Sequence, residues 1–280
     1  MVTAEEIADI LESMRNDSQA QQLMRFFKTG KGSYGEGDNF LGLKVPQVRA
    51  VVKEARNDIS LPEIEKLIYS EWHEARLAGF LLLEEQMKRA LPSKCRREKF
   101  KNKSGISVFQ TRDAKELERD PKEQEKAAKR DEIATFFLKH ARQANNWDLV
   151  DIPCRGILGE WMLHPSAAGS MPDRSILDRL ADSDNLWEQR ISIVTTWQFI
   201  REGQYDDTLR LASKLLNHPH DLIHKAVGWM LREVGKKEMP LLTDFLERHY
   251  VAMPRTALRY AIEKMPLSTR QFWLKRNTSL

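Results

Sequence analysis

From one end of the chain to the other, apolar residues recur at the i, i+3, i+4, i+7 spacing that lines one face of an α-helix. EEIADILESM, VPQVRAVVKEA, LPEIEKLIYS and EARLAGFLLLEEQM each carry it, separated by short breaks that hold Gly, Pro, Asn or Asp. No segment shows the strict alternation of a half-buried strand. Leu, Ala, Glu, Lys and Arg dominate, and β-branched runs are scarce. The pattern predicts an all-α fold.

A second, longer period lies over the first. HEARLAGFLLLE (73–84), WEQRISIVTTWQ (187–198), IHKAVGWMLREV (223–234) and PRTALRYAIEKM (254–265) align as helices with a basic or polar residue near the start. The last three are offset by about 35 and then 31 residues, and each follows a shorter helical stretch: SILDRLADS, DTLRLASKLL and MPLLTDFLERH. A helix pair recurring at this interval predicts a HEAT-like helical-repeat solenoid, in which each pair buries its face only against its neighbours. Such stacks curve, and the inner surface of the curve is a natural groove.

With 280 residues the chain could make one large domain or two ordinary ones. Residues 93–130 interrupt the pattern with 13 Lys/Arg against 7 Asp/Glu and little apolar material. They read either as a solvated, partly disordered insertion or as a basic arm for phosphates. No boundary separates two cores, so residues 1–280 read as a single repeat domain with a basic insertion at about 93–130. Nothing approaches the roughly 18 uninterrupted apolar residues of a membrane span. The opening MVTAEEIADILESM is acidic and amphipathic, unlike a signal peptide. These features predict a cytoplasmic protein. Cys95 and Cys154 form no CxxC or Cys/His cluster, so neither a disulfide framework nor a metal site is expected. A net charge of +4 permits nucleic-acid binding without requiring it.

Walker-type phosphate loops, HExxH and GxSxG are all missing. What remains is a set of aromatic and charged residues in the second half: Trp147 and Asp151 in NNWDLVD, Arg190 in LWEQRISI, and Trp229 in HKAVGWMLREVGK. Trp147 and Asp151 are four apart, hence on one helical face. Arg190 occupies the register that Arg76 holds in the first repeat copy, and Trp229 lies four residues after Lys225, the equivalent of Arg190 one repeat later. Each residue also has an ordinary role open to it. A helical Trp commonly packs in the core, and a lone Arg commonly pairs with a surface carboxylate. Asp151, two residues before Pro153, could cap a helix starting near Ile152.

At these residues the chain resembles the AlkD-like DNA alkylation repair family, the HEAT-like-repeat alkylpurine DNA glycosylases. That family carries a Trp-x-x-x-Asp motif, an Arg on a later repeat and a second Trp on the next. Trp147, Asp151, Arg190 and Trp229 match the four in order, with 39 residues from Arg190 to Trp229. FLGLKVPQVR (40–49) resembles the family's N-terminal loop, and WEQRISIV and GWMLREVGK resemble its repeat signatures. The similarity spans nearly the whole chain apart from 93–130.

The resemblance implies a base-excision repair enzyme that hydrolyses the N-glycosidic bond of cationic alkylated purines, N3-alkyladenine and N7-alkylguanine, in duplex DNA. It implies no cofactor, a monomer, and association with the nucleoid through DNA. Asp151 would be the chemical centre, Trp147 and Trp229 aromatic faces for a cationic nucleotide, and Arg190 a phosphate contact. Tyr34, in GSYGEGDNF, and Lys44, in FLGLKVPQVR, would be further DNA contacts. Such solenoids grip backbone and sugar, so no deep base pocket is implied. Trp147, Asp151, Arg190 and Trp229 are then expected around one concave, basic opening. The rival reading is a non-catalytic scaffold that binds DNA or protein through the same surface.

Overall fold

A computed structural model of the chain describes residues 2–92 and 120–276. Among them all regular elements are helical, and an isolated bridge between Asn39 and Trp72 is the extent of β pairing. The all-α expectation holds. The described residues divide into two compact units, one ending at Pro172 and one beginning at Asp173.

The first unit contains α1 (Ala4–Ser13), α2 (Asp17–Phe26), α3 (Val45–Ala55), α4 (Leu61–Ile68), α5 (His73–Ala90), α6 (Pro121–Lys139) and α7 (Trp147–Asp151). The periodic segments of the sequence correspond to α1, α3, α4 and α5, running one residue past the end of α1 and two past the end of α4. Nearly all of helix α5 is buried, polar His73, Glu74 and Arg76 as well as Leu77, Ala78, Phe80, Leu81, Leu82 and Leu83. A helix buried on almost every side belongs in the middle of a core. Accordingly α3, α4 and α6 pack around it, and a π-helical turn at Arg155–Gly159 rests on it as well.

One loop ties this core to the residues that precede it. The N–H groups of Leu41, Gly42 and Leu43 donate to the Glu74 carboxylate at 2.8, 2.8 and 2.9 Å. That wraps FLGLK around the first turn of α5. The wrap needs glycine at position 42: its φ is +92°, and a Cβ there would lie 2.1 Å from the Asn16 carbonyl oxygen.

The charged segment ends earlier than its composition suggests. Residues 93–119 lie outside the described residues, but Pro121 opens α6, with Asp120 capping it through the Lys122 amide. Ala127, Arg130, Ile133, Ala134 and Phe137 share the buried face of that helix. Arg130 is fully buried and donates to the carbonyls of Ala90 and Pro165, each at 2.8 Å. Reading a basic residue as solvent-facing fails there because carbonyl oxygens take the place of water.

The second unit contains α8 (Ser175–Ala181), α9 (Leu186–Thr195), α10 (Trp197–Arg201), α11 (Asp206–Leu215), α12 (Asp221–Lys237), α13 (Met239–His249), α14 (Arg255–Ala261) and α15 (Leu267–Lys275). The three aligned repeat helices pack in series, α9 against α12 and α12 against α14. Two of their shorter partners pack on the helices that follow them, α8 on α9 and α11 on α12, while the third, α13, packs on α12, the helix before it. Within this unit the repeat period is therefore a packing period. Among the described residues no helix is long and apolar enough to cross a membrane.

Gly42→Ala should destabilise the protein by about 2–4 kcal/mol, because positive φ and a backbone clash act together. Gly203 also has positive φ (+76°), but a Cβ there meets only the Tyr205 hydroxyl at 4.0 Å. Gly203→Ala is expected to cost about 1 kcal/mol. Thermal unfolding of the two variants, compared with the parent, checks the difference.

Candidate functional site

The stretch NNWDLVD folds as a single short helix. Asn146 caps α7 in an extended conformation, its side-chain oxygen accepting from the Trp147 amide at 2.9 Å. The helix runs to Asp151, so the cap lies before Trp147 and Asp151 closes the helix rather than opening the next one. Trp147 and Asp151 are both half-buried and share one face of it.

Trp147 belongs partly to a core and partly to the surface. Its indole stacks on Phe27, with centroids 5.0 Å apart and planes at 20°, and meets the edge of Phe26 at 5.8 Å. Phe27 in turn stacks on Phe40 at 5.1 Å, within a small apolar cluster with Ala20, Leu23 and Met24. Phe26 is 64% exposed. The result is an aromatic surface backed by packed rings, with a carboxylate one helical turn away. Such a surface suits a flat or cationic partner.

Beneath it lies a buried ionic network that joins three distant parts of the sequence. His73 Nδ1 donates to Asp38 Oδ2 at 2.7 Å, and His73 Nε2 to Asp148 Oδ2 at 2.9 Å. Arg76 donates to the other oxygen of Asp38 and to the Ser70 carbonyl at 2.7 Å. Asn146 Nδ2 adds a hydrogen bond to Asp38 at 3.2 Å. All five side chains are buried. Two carboxylates face two cations, so the cluster is neutral as a whole. Burial alone would raise the Asp38 pKa, but His73, Arg76 and Asn146 together hold it below the usual carboxylate range.

The other expected contacts of this unit are on its surface. Tyr34 is half-buried in the glycine-rich loop, with Lys28 Nζ 5.8 Å from its ring centroid. Lys44 is exposed at the start of α3, where its amide donates to Gln47 Oε1 at 2.9 Å.

Arg190 and Trp229 sit on adjacent helices of the second unit. Trp229, in α12, is half-buried. Arg190, in α9, is only 5% exposed, and its guanidinium donates to the Leu222 carbonyl at 2.6 Å, near the start of α12. The register shared by Arg76 and Arg190 thus places a buried guanidinium in both units. Asp38, His73, Asn146 and Asp148 carry no motif that marks them in the sequence. HEAR and NNWDLVD contain three of them, but nothing in a linear pattern says that they meet.

A chain of stacked helix pairs carrying an aromatic–carboxylate surface falls in the class of helical-repeat proteins. The family model described as DNA alkylation repair enzyme matches residues 7–102 and 115–265, and the chain belongs to that family. Among solved structures it is similar to a "Predicted DNA alkylation repair enzyme from Enterococcus faecalis". The two share 16% identity with a TM-score of 0.58, over 90% of this chain and 97% of that one, a likeness of fold. No curated relative matches the chain.

Arg76→Met keeps most of the side-chain volume but leaves the buried Asp38 with one cation fewer. The expected loss is about 3–5 kcal/mol, to be read as a drop in the midpoint of chemical unfolding. A change below about 1 kcal/mol would mean that Arg76 does not compensate Asp38.

Proposed function

We propose that the protein is a monofunctional DNA glycosylase that releases cationic alkylated purines, N3-alkyladenine and N7-alkylguanine, from duplex DNA. The observation that carries this reading is the pair on α7: the half-exposed Trp147 face, backed by Phe27, with the Asp151 carboxylate one turn beyond it. Membership of a DNA alkylation repair family supplies the substrate class.

The chemistry suits so sparse a site. Alkylation at N3 or N7 leaves the purine positively charged, so the base is already a good leaving group and needs little acid catalysis. Breaking the N-glycosidic bond develops oxocarbenium charge on the deoxyribose, as in glycoside hydrolysis. The Asp151 carboxylate stabilises that charge and orients the attacking water. At about 4 Å and an effective dielectric of about 20 the attraction is roughly 4 kcal/mol, up to about three decades of rate.

Trp147 offers its electron-rich face to the cationic nucleotide. Within the second unit, the half-buried Trp229 would be a further aromatic contact for DNA, and Arg190, mostly buried, would reach a backbone phosphate only through what its Leu222 bond leaves accessible. Tyr34 and Lys44 would add contacts to the sugar–phosphate chain. Because Arg190 already holds the Leu222 carbonyl, its replacement should lower stability as well as DNA affinity.

Asp151→Asn keeps the size of the side chain but removes its charge. Single-turnover release of alkylpurine is expected to slow by about 10²–10³-fold, with little change in affinity for a lesion-free duplex. Excision at the parent rate would take Asp151 out of the mechanism. Duplex binding by the parent should weaken with salt, log K falling by about 0.9 for each phosphate neutralised. Salt-sensitive binding with no base release from any methylated duplex would instead identify a non-catalytic DNA-binding scaffold.

A further inference from the structure

We propose that His73 is the positioning residue for Trp147 and Asp151, holding α7 in place by clamping Asp148 and Asp38 at once. The proposal rests on the glycosylase reading of Asp151, although its structural part can be tested without it.

Helix α7 has five residues, too few to persist unaided in water. Its first turn is instead fixed from below. Asp148, its second residue, accepts from His73 Nε2 and, through its other oxygen, from the Leu149 amide at 2.9 Å. Asn146, its cap, is held by Asp38, which His73 Nδ1 also holds. A second path leads to the indole itself. His73 stacks on Phe40 at 4.2 Å and lies 5.1 Å from Phe27, the ring on which Trp147 stacks. Both the backbone that aims Asp151 and the ring behind Trp147 therefore rest on one imidazole.

The geometry also fixes the charge of that imidazole. Both ring nitrogens face carboxylate oxygens at hydrogen-bond distance, and a neutral histidine can donate from only one of them. The charged groups around it are Asp38 from the loop before α3, Asp148 from α7 and Arg76 on α5 itself. Glu74, also on α5, spends its carboxylate on the Leu41–Leu43 amides. Phe27 and Phe40 close the remaining sides without charge. Burial, the largest single influence, disfavours the cation, but Asp148 and Asp38 outweigh it and raise the His73 pKa to about 9. A raised pKa stabilises the fold fully below the ordinary value of about 6.5, and that contribution is lost as pH rises through about 9. The clamp is closed at neutral pH and opens on the alkaline side.

The test is His73→Gln, which can donate to one carboxylate only, measured beside the double variant His73→Gln/Asp148→Asn, which restores neutrality. Two readouts are taken: single-turnover alkylpurine release, corrected for spontaneous base loss, and exchange protection of the Val150 and Ile152 amides. In the parent these amides donate to the Asn146 and Asp148 carbonyls, each at 3.2 Å. Excision by the parent should fall as pH passes about 9, with protection of both amides falling alongside. His73→Gln should excise about 10²-fold more slowly at neutral pH, the cost of misplacing a reacting group by about 1 Å. It should also exchange both amides about 10-fold faster. The double variant should recover most of the protection and lose the alkaline decline. If His73→Gln matches the parent in protection and excision, or if the parent's protection stays flat through pH 9, the proposal is overturned. The parent's pH series needs no variant, so misfolding cannot obscure it. If the parent releases no base at all, the glycosylase reading fails while amide exchange still decides the role of His73.

Discussion

One histidine between two carboxylates organises the first unit. His73 is buried with both nitrogens engaged, and around it the chain brings together the loop before α3, the start of α5 and the start of α7. Removing any one charge leaves another in a medium that cannot solvate it, which costs far more than a surface ion pair returns. The arrangement is therefore all or nothing. Its value is less in added stability than in the single geometry it permits for the short helix above it.

This placement gives the Trp147–Asp151 surface a firm base. Phe27 and Phe40 back the indole, and the Asn146 cap and the Asp148–His73 bond fix the helix that carries the carboxylate. In the proposed reaction a fixed carboxylate would need no reorganisation as positive charge develops opposite it, and such preorganisation is the main advantage of a protein site over water. The second unit uses a buried guanidinium in another way: Arg190 joins α9 to α12 through a backbone carbonyl.

Much of the architecture was legible in the sequence because periodicity records burial directly. The helical pattern located α1, α3, α4 and α5, and the longer repeat identified α9, α12 and α14, which pack in series. The pair Trp147 and Asp151 was legible too, since i, i+4 spacing is a local property. Three things were not. Helix α6 begins inside a segment whose charge suggested solvent, and Arg130 is buried there because two carbonyls satisfy it. Arg190 looked like a surface residue for the same reason. The His73 network was invisible because its partners lie 35 and 75 residues away, and no local pattern encodes such a meeting.

That long separation carries a consequence for how the chain can vary. The bond between His73 and Asp148 closes a loop of 75 residues, and the basic stretch lies within it. The entropy lost in closing a loop grows only with the logarithm of its length, about 0.6 kcal/mol for each doubling. The entropic cost of joining His73 to Asp148 is therefore nearly insensitive to the number of residues between them. The length of chain between α5 and α6 and the hold on the helix that carries Trp147 and Asp151 are thus nearly independent variables.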